Sequence, residues 1–225
     1  MQKHIYFIRS AENQHGDLKR KVLEHVVTPL KAQAYTHIKL NISLAPPSLS
    51  LVPFSKNAMI MISLWSEEGL TPEASTLEAM KTLGQVWSYA VDESAPVQYQ
   101  RDWPNESDSP GVVLLTLLKK NPNISYDDFM HEWHGRHTPK AMRIHPMWNY
   151  IRNVTLERLQ PDSPAFEGFV EEHYRQLSDV TNPIKMFGGG FFTWIKNIIE
   201  VGLHVKTFLD LPNLENYLMS EYHIR

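Results

Sequence analysis

Ser125-Tyr-Asp-Asp-Phe-Met-His-Glu-Trp-His-Gly-Arg-His-Thr-Pro-Lys-Ala141 ends in the same way as an earlier stretch of the chain, Glu24-His-Val-Val-Thr-Pro-Leu-Lys-Ala32. When Thr28-Pro29 is superimposed on Thr138-Pro139, Phe7 of the first apolar run falls on Leu117 of the apolar run that precedes the second stretch. An internal repeat of this length is typical of a duplicated domain rather than of a solenoid of short units. The sequence therefore predicts two structural repeats.

Hydrophobic periodicity predicts the same order of elements in both repeats: strand, helix, two strands, helix, strand. In the first repeat (residues 1–100) we expect strands at 3–10, 37–44, 58–65 and 88–99 and helices at 17–28 and 74–87. In the second (residues 112–225) we expect strands at 112–120, 150–159, 166–175 and 216–225 and a first helix at about 125–137. The polar stretch 101–111, which contains two prolines, is the predicted linker.

This order is that of the ferredoxin-like β-α-β-β-α-β unit, so the predicted fold class is α+β. Helices cover only one side of such an antiparallel sheet, and the bare side must be buried. With two repeats in one chain, we expect the two sheets to pack face to face, in a dimeric α/β-barrel arrangement completed within one chain. Exposed sheet edges in such folds can pair between copies, so both a monomer and a homodimer remain open.

The composition excludes several classes of function. The 225 residues contain no cysteine, which excludes disulfides, thiolate metal sites and a cysteine nucleophile. The formal net charge of −3 offers no basic stripe for phosphates, so nucleic acid is not an expected partner. The N-terminus lacks the apolar core of a signal peptide, and no run approaches the roughly 20 apolar residues of a membrane span. The sequence therefore predicts a cytoplasmic protein with no membrane partner.

Five stretches in the second half carry a resemblance to a known family: residues 114–139, 150–153, 162–174, 208–210 and 220–225. The most specific mark is W-x-x-x-H-x-P, formed by Trp133, His137 and Pro139. On these residues, the stretch 112–225 resembles the EthD family of the dimeric α/β-barrel superfamily, and the first half matches only as a degenerate repeat. The resemblance implies a ferredoxin-like barrel that binds small apolar molecules. Members are linked to ether degradation beside an oxygenase and, in fungi, to dehydration or ring closure of polyketides.

The candidate catalytic helix places Tyr126, Met130, Trp133 and His137 on one face, the apolar face that packs on the sheet. One interpretation makes His137 a general acid or base at the mouth of a pocket, since imidazole exchanges protons near neutral pH. The other interpretation is that His137 binds free carbonyls in the last helical turn. Val27 is the equivalent residue in the first repeat, which fits one active and one silent pocket and also fits drift after duplication.

His131-Glu-Trp-His-Gly135 is similar to a metalloprotease helix, but the spacing differs. H-E-x-x-H needs its second histidine at i+4, where this chain has Gly135. The histidines at 131, 134 and 137 also span too wide an arc to share one ion, and a site needs three or more converging ligands. We therefore expect no metal site; the alternative is that two of these histidines bind zinc or iron together with a carboxylate from a strand.

The third strand of the second repeat supplies further catalytic candidates. Glu171 and His173 share one face of this strand, and Val170, Glu172 and Tyr174 share the other. The alternation is too polar to show which face lines a pocket. Together with His137, the predicted catalytic residues are Glu171 and His173, and the predicted substrate-binding residues are Trp133, His134, Arg152, Asn153, Glu221 and His223. The alternative for each strand residue is a solvated or charge-paired side chain.

The second half is longer than the first around residues 187–203. Phe191, Ile195, Ile198, Ile199 and Gly202 form an apolar stripe there. This stretch is either a long second helix that covers the sheet or a lid hinged at Gly188-Gly-Gly190. A third interpretation, adsorption to a membrane, fits less well because the polar face is poor in Lys and Arg.

These features favour a cofactor-independent enzyme of the cyclase, dehydratase or lyase type. It would transfer protons on a small apolar carbonyl or aromatic, polyketide-like compound. Three alternatives remain: a cofactorless oxygenase, a non-catalytic binding protein that assists an oxygenase or a degradation pathway, and a purely structural module.

Overall fold

The computed structural model describes residues 1–10 and 15–225. This part of the chain contains the strands β1 (Gln2–Ser10), β2 (His37–Ser43), β3 (Ala58–Ser66), β4 (Gln85–Val97), β5 (Val112–Leu118), β6 (Asn149–Arg158), β7 (Gly168–Tyr174) and β8 (Glu215–His223). The helices are α1 (His15–Val22), α2 (Thr28–Lys31), α3 (Ala74–Leu83), α4 (Tyr126–Met130), α5 (Thr138–Ile144), α6 (Leu177–Thr181), α7 (Pro183–Met186) and α8 (Phe191–Phe208). The strands lie within a few residues of their predicted positions.

The predicted packing of two sheets face to face is wrong. The eight strands form one closed antiparallel barrel in the order β1-β3-β2-β8-β5-β7-β6-β4. Two pairings between the halves close it, β2 with β8 and β4 with β6. A separate four-stranded sheet would leave the backbone N–H and C=O groups of β2 and β4 unpaired, and closure satisfies them. Irregular register between β4 and β6 adds the local bending that closure requires.

Alternation along the strands separates an interior core from three exterior cores. In β1, Ile5 and Phe7 belong to the core inside the barrel, whereas Tyr6 and Ile8 pack toward the helices. The interior core consists of Ile5, Phe7, Met59, Met61, Trp87, Tyr89, Val91, Val113, Leu115, Leu117, Phe166, Phe169, Tyr217 and Met219. The helices cover the outside of the barrel. Each strand therefore contributes one face to the interior core and one face to the packing against the helices.

Both Thr-Pro motifs end a π-helical stretch. Leu23–Val27 joins α1 to α2, and His131–His137 joins α4 to α5. Thr28 and Thr138 each donate a hydroxyl hydrogen bond of 3.0 Å to the carbonyl five residues earlier. Proline removes a backbone donor from the next position, so the wider turn and the threonine hydroxyl satisfy the carbonyls there. The repeated Thr-Pro motif therefore corresponds to a π-helical stretch at the same place in each half of the chain.

The predicted helix at 74–87 ends earlier, because Gly84 lies against β1. A Cβ on Gly84 would be 2.2 Å from the carbonyl oxygen of Arg9. This close approach lets β4 begin at Gln85 directly beside β1.

The long segment after β7 forms α6, α7 and α8. Ile198 and Val201 of α8 pack on the exterior core that contains Leu114 and Leu218. The side chain of Phe191 lies outside the described residues. Within the described part of the chain, α8 and the other helices are too short or too polar to cross a bilayer.

Candidate active site

An apolar cavity of about 230 Å³ lies between the outer face of the barrel and the helices of the second half. Leu114, Tyr150, Val170 and Glu172 form its floor on strands β5, β6 and β7. Its walls come from α8, from the π-helical stretch before α5, and from residues 51–53 of the loop between β2 and β3. The cavity is thus enclosed mainly by the second half and partly by a loop from the first.

His137 lies on the wall of this cavity, at the last position of the π-helical stretch. The wider helical turn, held by Thr138 and Pro139, carries the imidazole to the inner side of the helix. Burial lowers the pKa of His137 to about 3, and the nearby His204, His145 and Lys140 act in the same direction. The imidazole is therefore neutral near pH 7 and able to accept a proton.

His204 of α8 stacks on His137, with 5.5 Å between ring centroids and 13° between ring planes. Phe208 contacts both imidazoles at 5.3 Å between ring centroids. Burial lowers the pKa of His204, and its Nδ1 lies 3.8 Å from Oε2 of Glu132. His137 is thus held between two helices by ring contacts rather than by hydrogen bonds.

One buried polar atom beside the cavity, Nδ1 of His137, has no hydrogen-bond partner among the described residues, whereas the indole of Trp133 faces the hydroxyl of Tyr150. A buried polar group that lacks a partner costs roughly 1–3 kcal/mol, so native proteins seldom leave one without a reason. Tyr150 on β6 also lines the cavity, and burial raises the pKa of its hydroxyl. An apolar cavity with a few polar groups in its lining is typical of a ligand site.

Sequence reasoning did not select two further polar residues of the cavity, Glu172 and His145. Glu172 lies on the outer face of β7, and its Oε2 accepts a hydrogen bond of 2.7 Å from the Tyr174 hydroxyl. His145 follows α5, and its Nδ1 is 2.9 Å from the carbonyl oxygen of Met186. The only available signal was the alternation that placed Glu172 with Val170 and Tyr174 on one face.

The other two predicted catalytic residues, Glu171 and His173, lie on the opposite side of the sheet, inside the barrel. There they join an interior polar cluster, which we define as Lys3, Lys39, Asn153, Glu171, His173, Glu221 and His223. The barrel wall therefore separates Glu171 and His173 from His137, and the three do not form one site. Asn153, Glu221 and His223, predicted to bind substrate, belong to the same interior cluster.

Lys39 holds the centre of the interior polar cluster. Its Nζ donates to Oε2 of Glu171 at 2.6 Å and lies 3.3 Å from Oε2 of Glu221. Burial alone would raise the pKa of Glu171, but Lys39 and Lys3 lower it to about 2. Burial alone would lower the pKa of Lys39, but Glu171 and Glu221 raise it above its usual range. Both carboxylates are therefore ionised and paired.

Hydrogen bonds extend the interior polar cluster to the barrel end. Tyr99 donates to Oε1 of Glu221 at 2.7 Å, and Nε2 of His223 lies 3.1 Å from the same oxygen. The rings of Trp103 and Trp148 pack on Tyr99 and cover this end. Burial lowers the pKa of His173 despite the nearby Glu221.

Glu171, His173 and Glu221 offer ligand atoms within 4.8 Å of one another, so these three could in principle hold a metal ion. Lys39 already supplies a positive charge between the two carboxylates. A divalent ion would have to displace or deprotonate this lysine.

Of the remaining predicted substrate-binding residues, Trp133 lines the cavity and His134 and Arg152 do not. Arg152 donates to the hydroxyls of Ser94 at 3.2 Å and Thr138 at 3.1 Å. Arg152 therefore holds the first residue of α5, Thr138, which directly follows His137. His134 packs edge-on against Trp133, and burial lowers its pKa to about 4.

The sequence comparisons give no family for this chain: no family model matches it and no curated protein matches it. The EthD resemblance therefore stays a prediction.

Solved structures do match. An anthrone oxidase-like protein aligns over 99% of this chain and 93% of its own, with 9% identity and a TM-score of 0.62. A presumed monooxygenase from Fusobacterium nucleatum aligns over 100% and 92%, with 8% identity and a TM-score of 0.53. Identities this low show the fold alone. The chain shares with these proteins the dimeric α/β-barrel type of fold, here a closed eight-stranded barrel with helices outside it.

Proposed function

We propose that the cavity beside His137 is an active site that removes a proton from a small, largely apolar carbonyl or phenolic compound. The observation that carries this proposal is His137 itself: a neutral imidazole on the wall of an apolar cavity, with a buried nitrogen that lacks a partner. Of the three residues predicted to be catalytic, His137 is the one that lines this cavity.

The cavity limits the size and polarity of the substrate. Pockets for drug-sized ligands usually enclose about 300–1,000 Å³, and the cavity here encloses about 230 Å³. Its lining is mainly aliphatic and aromatic, with Leu118, Val205 and Phe208 among its members. A compound of one or two rings fits these dimensions.

His137 supplies the proton acceptor. Removal of a proton from a carbon next to a carbonyl, or from a phenol, creates an enolate or phenolate beside the newly formed imidazolium. The anion stabilises the imidazolium electrostatically, which raises the effective pKa of His137 during the reaction. When the anion is consumed, the low intrinsic pKa returns the proton to the product. One group thus acts as base and then as acid.

The anion can follow two routes. Loss of water or ring closure would make the protein a dehydratase, lyase or cyclase, which is the reaction class that we propose. Direct attack on molecular oxygen would make it a cofactorless oxygenase. The second route is favoured by the fold shared with an anthrone oxidase-like protein and a presumed monooxygenase.

Product analysis under air and under nitrogen tests the proposal. Wild type and His137→Gln would be incubated with planar phenols, polyketide-like aromatics and branched ethers, and followed by mass spectrometry and an oxygen electrode. We expect product in wild type and a loss of roughly 10²–10⁴-fold in rate in the variant, as for a general acid–base residue. His25→Gln, a change at an exposed histidine of the first half, is the matched control.

The outcomes separate the alternatives. Product formed equally under both gases supports the proton-transfer enzyme, whereas product that requires oxygen supports the oxygenase. Saturable binding without any product would contradict both enzymatic reactions and support an accessory binding protein.

A further inference from the structure

Glu172 places a carboxylate in the lining of the cavity. It lies on the outer face of β7 between Val170 and Tyr174, the position that alternation requires. Among the described residues, the Tyr174 hydroxyl at 2.7 Å is its one side-chain hydrogen bond. An ionised carboxylate has about four lone-pair sites, so most of the accepting capacity of Glu172 is unused.

Neither lysine nor arginine is present among the described residues that line the cavity. His137 is neutral, because burial lowers its pKa to about 3. Nδ1 of His145 lies 2.9 Å from the carbonyl oxygen of Met186, so this side of the ring is already occupied.

The two carboxylates inside the barrel lie in a different environment from that of Glu172. Glu171 and Glu221 both lie close to Nζ of Lys39. The chain thus pairs its interior carboxylates with a buried ammonium and leaves the cavity carboxylate without one. A structural role alone would favour an apolar residue at position 172, because burial of an unpaired carboxylate is costly.

We propose that Glu172 determines the specificity of the cavity: it accepts a hydrogen bond from a hydroxyl group of an uncharged aromatic ligand and excludes aromatic carboxylates. This inference rests on the proposed function, in which the cavity holds the substrate. The hydroxyl of the ligand supplies the missing partner for Glu172. A ligand carboxylate would instead place a second carboxylate beside Glu172 in an apolar cavity, which weakens binding.

Titration with a matched pair of ligands tests the inference. 2-Naphthol is uncharged and 2-naphthoate is ionised near neutral pH, and the two have similar size. Binding would be followed by the fluorescence of the tryptophans, since Trp133 lines the cavity. We expect wild type to bind the naphthol more tightly than the naphthoate by about tenfold or more, as like-charge contacts are strongly unfavourable.

The variant Glu172→Gln removes the charge and keeps an oxygen that can accept from Tyr174. We expect its preference for the naphthol to fall to about threefold or less, mainly through tighter binding of the naphthoate. Glu157→Gln removes an equal charge from an exposed position of β6 and should keep the wild-type preference. The wild-type preference is itself a test and does not depend on the folding of the variant.

Each outcome has a definite meaning. Equal binding of both ligands by wild type, or an unchanged preference in Glu172→Gln, overturns the role of Glu172 and leaves the proposed active site standing. Binding of neither ligand by wild type contradicts the aromatic-binding cavity, and the proposed function fails with it.

Discussion

His137 and His204 stack face to face, with 5.5 Å between their ring centroids, although they come from helices far apart in the sequence. Burial is the main reason for the low pKa of His137, and His204 lowers it further. His204→Phe keeps a ring at this position and removes its charge. We expect the pKa of His137 in the variant to rise but to stay below 6.5. Titration of the imidazole carbon-bound protons by NMR would measure it, and a return to 6.5 would show that burial is not the main cause.

The buried imidazole of His137 should make stability depend on pH. Its folded-state pKa of about 3 lies below the ordinary value of 6.5, so the unfolded state binds more protons between these values. The stabilisation is therefore complete above pH 6.5 and is lost as pH falls toward 3. We expect the free energy of unfolding of wild type, relative to His137→Gln, to fall by about 3 kcal/mol from pH 7 to pH 4. Urea unfolding of both proteins measures this difference. A constant difference would mean that His137 is solvated.

Lys39 should be essential for stability, because it pairs with two buried carboxylates. Lys39→Met leaves Glu171 and Glu221 without their main counter-charge, and loss of one partner of a buried pair costs about 3–5 kcal/mol. Lys81→Met is the matched control, since Lys81 forms an exposed pair with Glu78 that is worth about 0.5 kcal/mol or less. Urea unfolding compares the two. Equal effects of the two substitutions would contradict the buried ion-pair account.

Gly168 allows Trp133 to pack against the barrel. A Cβ at this position would lie 2.5 Å from Cη2 of Trp133 and 2.8 Å from the carbonyl oxygen of Asn153. Gly168→Ala should therefore displace the indole that borders the cavity, destabilise the protein by about 1–3 kcal/mol and weaken ligand binding. Gly202→Ala is the control, because nothing lies within 4 Å of its Cβ and alanine is the better helix former. Thermal unfolding and tryptophan fluorescence report both effects. A variant as stable as wild type would show that Trp133 can adjust freely.

The elements of this fold could be predicted from local patterns, and the barrel could not. Periodicity and the Thr-Pro echo depend on neighbours in sequence, so they located the strands and the helix that carries His137. Closure depends on pairings such as Asn41 with Glu221 and Glu93 with Asn153, which join residues from different halves. No local sequence pattern indicates that β2 pairs with β8 or that β4 pairs with β6.

Local patterns also explain why some residues predicted for the site border the cavity and others lie inside the barrel. The helical spacing of Trp133 and His137 predicted that both lie on one face, and both border the cavity. Glu171 and Glu172 are adjacent polar residues on β7, so the sequence did not show which one faces the helices. The interior role of Glu171 follows from Lys3 and Lys39, which come from distant strands of the first half.

The central claim is that small aromatic or carbonyl compounds bind in the cavity beside His137. A thermal-shift screen of phenols, polyketide-like aromatics, branched ethers and fatty acids tests it most directly, with wild type and Val205→Phe compared. Val205 lines the cavity on α8, so the larger ring fills the space without removing any polar group. A ligand at about 100 times its dissociation constant stabilises a protein by about 2.7 kcal/mol. The account predicts that at least one aromatic or carbonyl class stabilises wild type and that Val205→Phe abolishes the effect. No stabilisation of wild type, or the same stabilisation in Val205→Phe, would contradict it.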